Sequence, residues 1–145
     1  MSIKNPKIMK LTFKSIGAVF AGLVAIFVLS SATDFVLEAT GVYPPLDEQL
    51  KYGFNTPWMI SLAIIYRSIY SIAGCYLAAS LAPSRPMRHA MILGGVGFAI
   101  SILGTIIMWD KSPAWYPISL VILALPCAWF GGKLKSKMIL KNSAV

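Results

Sequence analysis

Four stretches of apolar residues, each long enough to cross a bilayer, decide what this chain can fold into: Ser15–Leu37, Trp58–Ala82, Ala90–Trp109 and Trp115–Gly132. A helix rises 1.5 Å per residue, so about 20 apolar residues cover the roughly 30 Å hydrocarbon layer. In that layer every backbone N–H and C=O needs a partner inside the protein, and a single segment meets that demand only as a helix. The remainder is a head (1–14), three connections (38–57, 83–89, 110–114) and a tail (133–145), none able to bury a core of its own. The expected fold is therefore all-α, one membrane domain over residues 1–145 built as an antiparallel four-helix transmembrane bundle. Composition agrees: 12% of the residues are charged, against about 25% in a typical soluble domain, and the mean hydropathy is +0.73.

The net charge is +8, from 13 basic and 5 acidic residues. Lys4, Lys7, Lys10 and Lys14 precede the first span, Arg85 and Arg88 separate the second from the third, and Lys133, Lys135, Lys137 and Lys141 follow the fourth. If the spans alternate in direction, all of these fall on one side, and the opposite side keeps only Lys51 and Lys111. Positive loops stay in the cytoplasm, so both termini are expected there and loop 38–57 outside. The basic face suits anionic lipid headgroups, and no nucleic-acid partner is expected. One alternative stays open: Lys4–Lys14, the run Ile16–Leu29 and Ser30-Ser31-Ala32 also fit a cleaved signal peptide. Phe35-Val36-Leu37 continue the apolar pattern past that cut, which favours a retained first span.

Loop 38–57 reads as one short helix, with Pro45 suited to the first helical position, Asp47 and Glu48 in the first turn and Gly53 as terminator. Leu46 and Leu50, four apart, could rest on the bilayer surface. Pro83, Ser84 and Pro86 predict a tight turn between spans two and three. Gly131-Gly132 are expected to close the fourth span, and Pro126 to kink it. Beyond them, Lys133, Lys137 and Lys141 at four-residue spacing fit either an interfacial helix or a frayed basic tail.

Ser71, Gly74 and Ala78 in span two, and Ala90, Gly94, Gly97, Ser101 and Gly104 in span three, form seams of small residues that let helix backbones approach closely. Because a short turn joins these spans, their default use is to pack on each other; a face for a homo-oligomer or a membrane-protein partner is the alternative. Cys75 and Cys127 read as small buried hydrophobes. His89, beside Arg88, reads as an interfacial anchor, and the acids lie too far from it to build a metal site.

The residue that resists this apolar reading is Arg67. It stands nine positions past Trp58, about 14 Å into the layer. A lone charge there is costly, so it needs a partner. Asp34, about 5 Å below the end of span one by the same rise, is the candidate. Glu38, four residues on and on the same helical face, would be a second acceptor near the rim, and Ser30 and Ser31 could donate to Asp34. The cluster Asp34, Glu38 and Arg67 either fixes which helices touch or forms a polar site open to the outside that binds an ion, a proton or an anionic group.

The segments "DFVLEATGVYPP", "YRSIYSIAGCYLAASLAPSRPMRHAMILGGVG" and "WDKSPAWYPISLVILALPCAWFGGKL" resemble a family of small four-span bacterial inner-membrane proteins, over about Asp34 to Leu134. The resemblance implies an inner-membrane location and a retained first span; it implies no activity. Small multidrug-resistance transporters also have four spans and a carboxylate in the first, but theirs lies deeper and lacks an arginine partner, so the likeness is analogy. With no nucleophile–base pair, metal cluster or phosphate loop in the sequence, no catalytic residue, cofactor or metal is expected. The expected role is a non-enzymatic accessory or interaction component; the alternative is a small oligomeric transporter using the Asp34, Glu38 and Arg67 cluster.

Overall fold

A computed structural model describes residues 5–144; Lys4, one of the basic residues of the head, and Val145 lie outside them. Among the described residues all regular structure is helical: α1 (Pro6–Ala39), α2 (Leu46–Tyr52), α3 (Pro57–Leu81), α4 (Pro86–Ile107), a 3-10 turn (Trp109–Lys111) and α5 (Trp115–Ser143). Four of these, α1, α3, α4 and α5, are long and apolar enough to cross a membrane. The protein is an integral membrane protein of the multi-pass kind.

Proline starts three of the four long helices, since its fixed φ suits the first turn and its missing N–H is not needed there. Asn5 adds a cap to α1, its Oδ1 accepting from the Lys7 N–H at 3.1 Å. The short helix of loop 38–57, α2, begins at Leu46, with Pro45 as its cap, and ends on Gly53. Gly53 takes φ +83, a conformation closed to most side chains, and a Cβ there would lie 2.9 Å from the Lys111 carbonyl oxygen. That approach lets the Phe54 N–H donate to Lys111 C=O at 2.6 Å, tying the α1–α3 connection to the α4–α5 connection.

Two helices run longer than the sequence suggests. α1 starts at Pro6, nine residues before the apolar run, because Lys7, Lys10 and Lys14 are good helix formers that lie against no core. α5 continues through Gly131-Gly132 to Ser143, so these glycines do not end it. They serve close approach instead. A Cβ on Gly131 would sit 2.6 Å from the Ile72 carbonyl oxygen of α3, and one on Gly132 would sit 2.9 Å from Ala90 Cβ of α4. The basic tail is thus an unbroken continuation of the fourth span, neither frayed nor a separate helix, with Lys133 stacked over the Trp129 ring at 4.1 Å and the Tyr76 hydroxyl donating to Met138 Sδ at 3.1 Å.

α3 is the spine of the bundle, packing on α1, on α5 and on α4, whereas α1 and α4 share a smaller contact, where Leu93 approaches Gly22. The two small-residue seams do not chiefly mate with each other. Gly74 packs on α1, where its Cβ would meet Ile26, and Gly22 of α1 approaches Gly74 and Ala78. Ala90 and Gly94 face α5, against Gly132 and Ala128. Gly104 has nothing within 4 Å of a Cβ. The sequence pattern identified surfaces of close approach; it carried no information about which helix would use each. Cys75, Ala78, Ala79, Ala90, Leu93 and Ala128 close the core of the half nearer the termini. His89, expected as an interfacial anchor, is buried in that half near the start of α4, its Nδ1 3.2 Å from the Arg85 carbonyl oxygen.

Candidate functional site

Asp34 on α1 and Arg67 on α3 meet in the loop half of the bundle. Arg67 Nη2 donates to Asp34 Oδ2 at 2.7 Å, and Tyr66, the residue before Arg67, donates its hydroxyl to Asp34 Oδ1. Both carboxylate oxygens are therefore engaged. Antiparallel packing of α1 on α3 sets this register, and one turn deeper the Thr33 and Tyr70 hydroxyls lie 2.8 Å apart in the same alignment. The guanidinium is less satisfied: among the described residues its one hydrogen bond is the bond to Asp34, and its Nε is buried with no partner.

Glu38 does not join the pair. Its Oε1 accepts from Gln49 Nε2 at 3.1 Å, and Gln49 also donates to the Pro44 carbonyl at 2.6 Å, so Glu38 anchors α2 to the end of α1. Ser30 and Ser31 do not reach Asp34 either; the tyrosine takes the role expected of them, Ser30 is buried, and Ser31 is exposed. Tyr66 was missed because aromatic residues in a span read as lipid-facing or interfacial. The signal was available in "YRSIY": two phenols four apart in mid-span lie on one helical face, and each hydroxyl needs a partner there.

On the loop side of the pair the bundle is packed with aromatic side chains. Tyr43, Ala63 and Tyr66 form a second core, with Leu37, Phe54, Met59, Tyr70 and Tyr116 packed against it. Tyr43 stacks edge-on to Phe54 at 5.1 Å between centroids, Phe54 to Tyr116 at 6.2 Å, and the Tyr43 hydroxyl donates to the Met59 carbonyl at 2.8 Å. Burial in this layer pushes the Tyr43 phenol above its ordinary value. The aromatic layer caps the charge pair.

On the other side of Arg67 lies a cavity of about 460 Å³ walled by all four spans. Its polar lining is Arg67 with Ser30, Ser68, Ser71 and Ser101; Cys75 and Cys127 also face it, and the rest is aliphatic or phenyl. Of the seam residues, Ser71, Gly94, Gly97 and Ser101 contribute to this wall. Elsewhere in the spans Ser61, Ser80, Thr105, Ser119 and Ser136 close onto the carbonyl four residues back, as hydroxyls in lipid usually do. Ser30, Ser71 and Ser101 make no such bond among the described residues. Among those residues no three of His, Cys, Asp and Glu lie close enough to hold a metal ion.

Compared with known proteins, the chain matches no family model, no curated protein and no solved structure.

Proposed function

We propose that this protein is a non-enzymatic component of the bacterial inner membrane, with both termini in the cytoplasm, that holds a small ligand inside the bilayer. The observation that supports this is the cavity: about 460 Å³, within the roughly 300–1,000 Å³ of ligand sites, with one fixed guanidinium and several unpaired hydroxyls in an otherwise apolar wall. α1 supplies Asp34, Ser30 and one wall of that cavity, which favours a retained first span over a cleaved signal peptide. The basic tail, extended as a rigid helix, suits contact with anionic headgroups at the cytoplasmic face.

Gly97 offers a direct test, because it lines the cavity and a Cβ on it would meet nothing within 4 Å. Protein taken from its native membrane in lipid nanodiscs should carry a stoichiometric small molecule by mass spectrometry, and folded Gly97→Phe should lose it. No such molecule in the wild type, or equal content in the variant, would sink the reading. Binding is preferred to transport because the aromatic cap separates the pair from the outer loop side; flux into proteoliposomes that Asp34→Asn abolishes would reverse this preference. For orientation, a cysteine placed at Gln49 should label from outside and one at Lys141 should not. Labelling of position 141 from outside would invert the topology.

A further inference from the structure

The cavity also has a direction of entry. Phe27 of α1 and Ile100 of α4 line it, yet are 70% and 50% exposed, so they stand at its mouth. They stand on the two packed spans that share the least contact, α1 and α4, which meet closely at Gly22 and Leu93, nearer the termini. On a helix bundle embedded in a bilayer, an opening between α1 and α4 at mid-span faces lipid. The other routes are filled: the aromatic cap covers the loop end, and the Cys75, Ala78, Leu93 and Ala128 core closes the end nearer the termini. A ligand enters sideways, from the hydrocarbon.

The lining then specifies the ligand. Arg67 is neutralised by Asp34 at 2.7 Å, so an anion would bring a second, uncompensated charge into a low-dielectric chamber, which is costly. A cation would meet a guanidinium with no free carboxylate beside it. What the wall does offer is donors: the unused N–H groups of Arg67 and the hydroxyls of Ser30, Ser71 and Ser101, with Ser68 set against the Cys127 thiol. An acceptor without charge satisfies them. At about 30 Å³ for each water-sized group, the volume holds roughly fifteen non-hydrogen atoms, enough for a head and one chain but not for a two-chain lipid.

We propose that the cavity takes, from the bilayer, a single-chain lipophile with an uncharged, carbonyl-bearing head, the head at Arg67 and the chain running out between Phe27 and Ile100. This rests on the ligand-holding reading above and names its substrate class.

Cys75 and Cys127 are built-in reporters, since both line the cavity. The full chain in phosphatidylcholine nanodiscs is alkylated with a membrane-permeant maleimide, alone or with tridecanone, dodecanesulfonate, dodecyltrimethylammonium or dodecane at equal mole fraction. Tridecanone should slow alkylation of both thiols more than the other three. Its advantage over dodecane should fall about tenfold when Ser71→Ala and Ser101→Ala remove two donors beside Arg67, a double change that leaves the Asp34 pair intact. A charged, impermeant maleimide should react with neither thiol. Stronger protection by the sulfonate or the ammonium overturns the uncharged head, and equal protection by dodecane overturns head-group recognition altogether. Rapid reaction with the impermeant reagent overturns entry from the bilayer. These three outcomes leave the ligand-holding reading in place. That reading fails separately if no compound protects and Gly97→Phe leaves alkylation unchanged.

Discussion

Replacing Asp34 with leucine removes the single side-chain acceptor of the Arg67 guanidinium and leaves a charge at mid-span. Breaking a buried pair from one side costs about 3–5 kcal/mol. A loss of at least about 3 kcal/mol is expected here, since the pair lies in the membrane-spanning part of the bundle. Arg67→Met should cost a similar amount, although the Tyr66 hydroxyl still donates to Asp34 and moderates it. Asp34→Leu combined with Arg67→Met leaves no charge to compensate. It should lose no more than either single variant, a coupling of about 3 kcal/mol. Tyr66→Phe, which removes one of the two donors to the carboxylate, should cost about 1.5–3 kcal/mol, and nothing once Asp34 is leucine. Reversible unfolding in mixed micelles with rising dodecyl sulfate, followed by circular dichroism, measures all of these. Single losses that add within about 0.5 kcal/mol would show that the two side chains are not coupled, and the argument for the pair would collapse.

The glycines give a contrast with no change of chemistry. Gly131→Ala drives a Cβ onto the α3 backbone and should destabilise by about 1–3 kcal/mol, whereas Gly104→Ala meets nothing and should be neutral or stabilising by up to about 1 kcal/mol; the same unfolding assay checks both. Gly53→Ala should cost about 1–3 kcal/mol at its φ of +83 and loosen the Phe54–Lys111 bond, seen as faster proteolysis within loop 38–57. Arg85 holds φ +46 at the cap of α4, so Arg85→Gly should raise the unfolding midpoint, by the equivalent of about 1 kcal/mol.

Fold class was legible because hydropathy over about 20 residues is a strong signal and the backbone has few options in lipid. The lengths of α1 and α5 were less so. Lysine heads and a Gly-Gly pair look like boundaries, yet Lys7, Lys10 and Lys14 continue a helix readily, and Gly131-Gly132 were selected by α3 and α4, which lie far away in sequence. The need for a partner to Arg67 was visible, and span depth pointed to Asp34. Glu38 looked equally placed by spacing. Its diversion to Gln49 depends on where α2 folds back, and that is a tertiary fact. The cavity was not legible at all, since a void is a property of how four faces fail to meet. Two of its four serines, Ser71 and Ser101, nonetheless belong to the small-residue seams that the sequence displays.

The Asp34–Arg67 bond has an electrical consequence. A full charge crossing the membrane field gains or loses about 2.3 kcal/mol per 100 mV, and an isolated arginine at mid-span would feel a sizeable share of it. Two opposite charges separated by 2.7 Å, about a tenth of a 30 Å layer, retain at most about 0.2 kcal/mol per 100 mV even if the bond lies along the field. That is less than thermal energy. The carboxylate therefore cancels most of the work that the resting potential would otherwise do on Arg67. Asp34→Asn would leave the same arginine an uncompensated charge in that field.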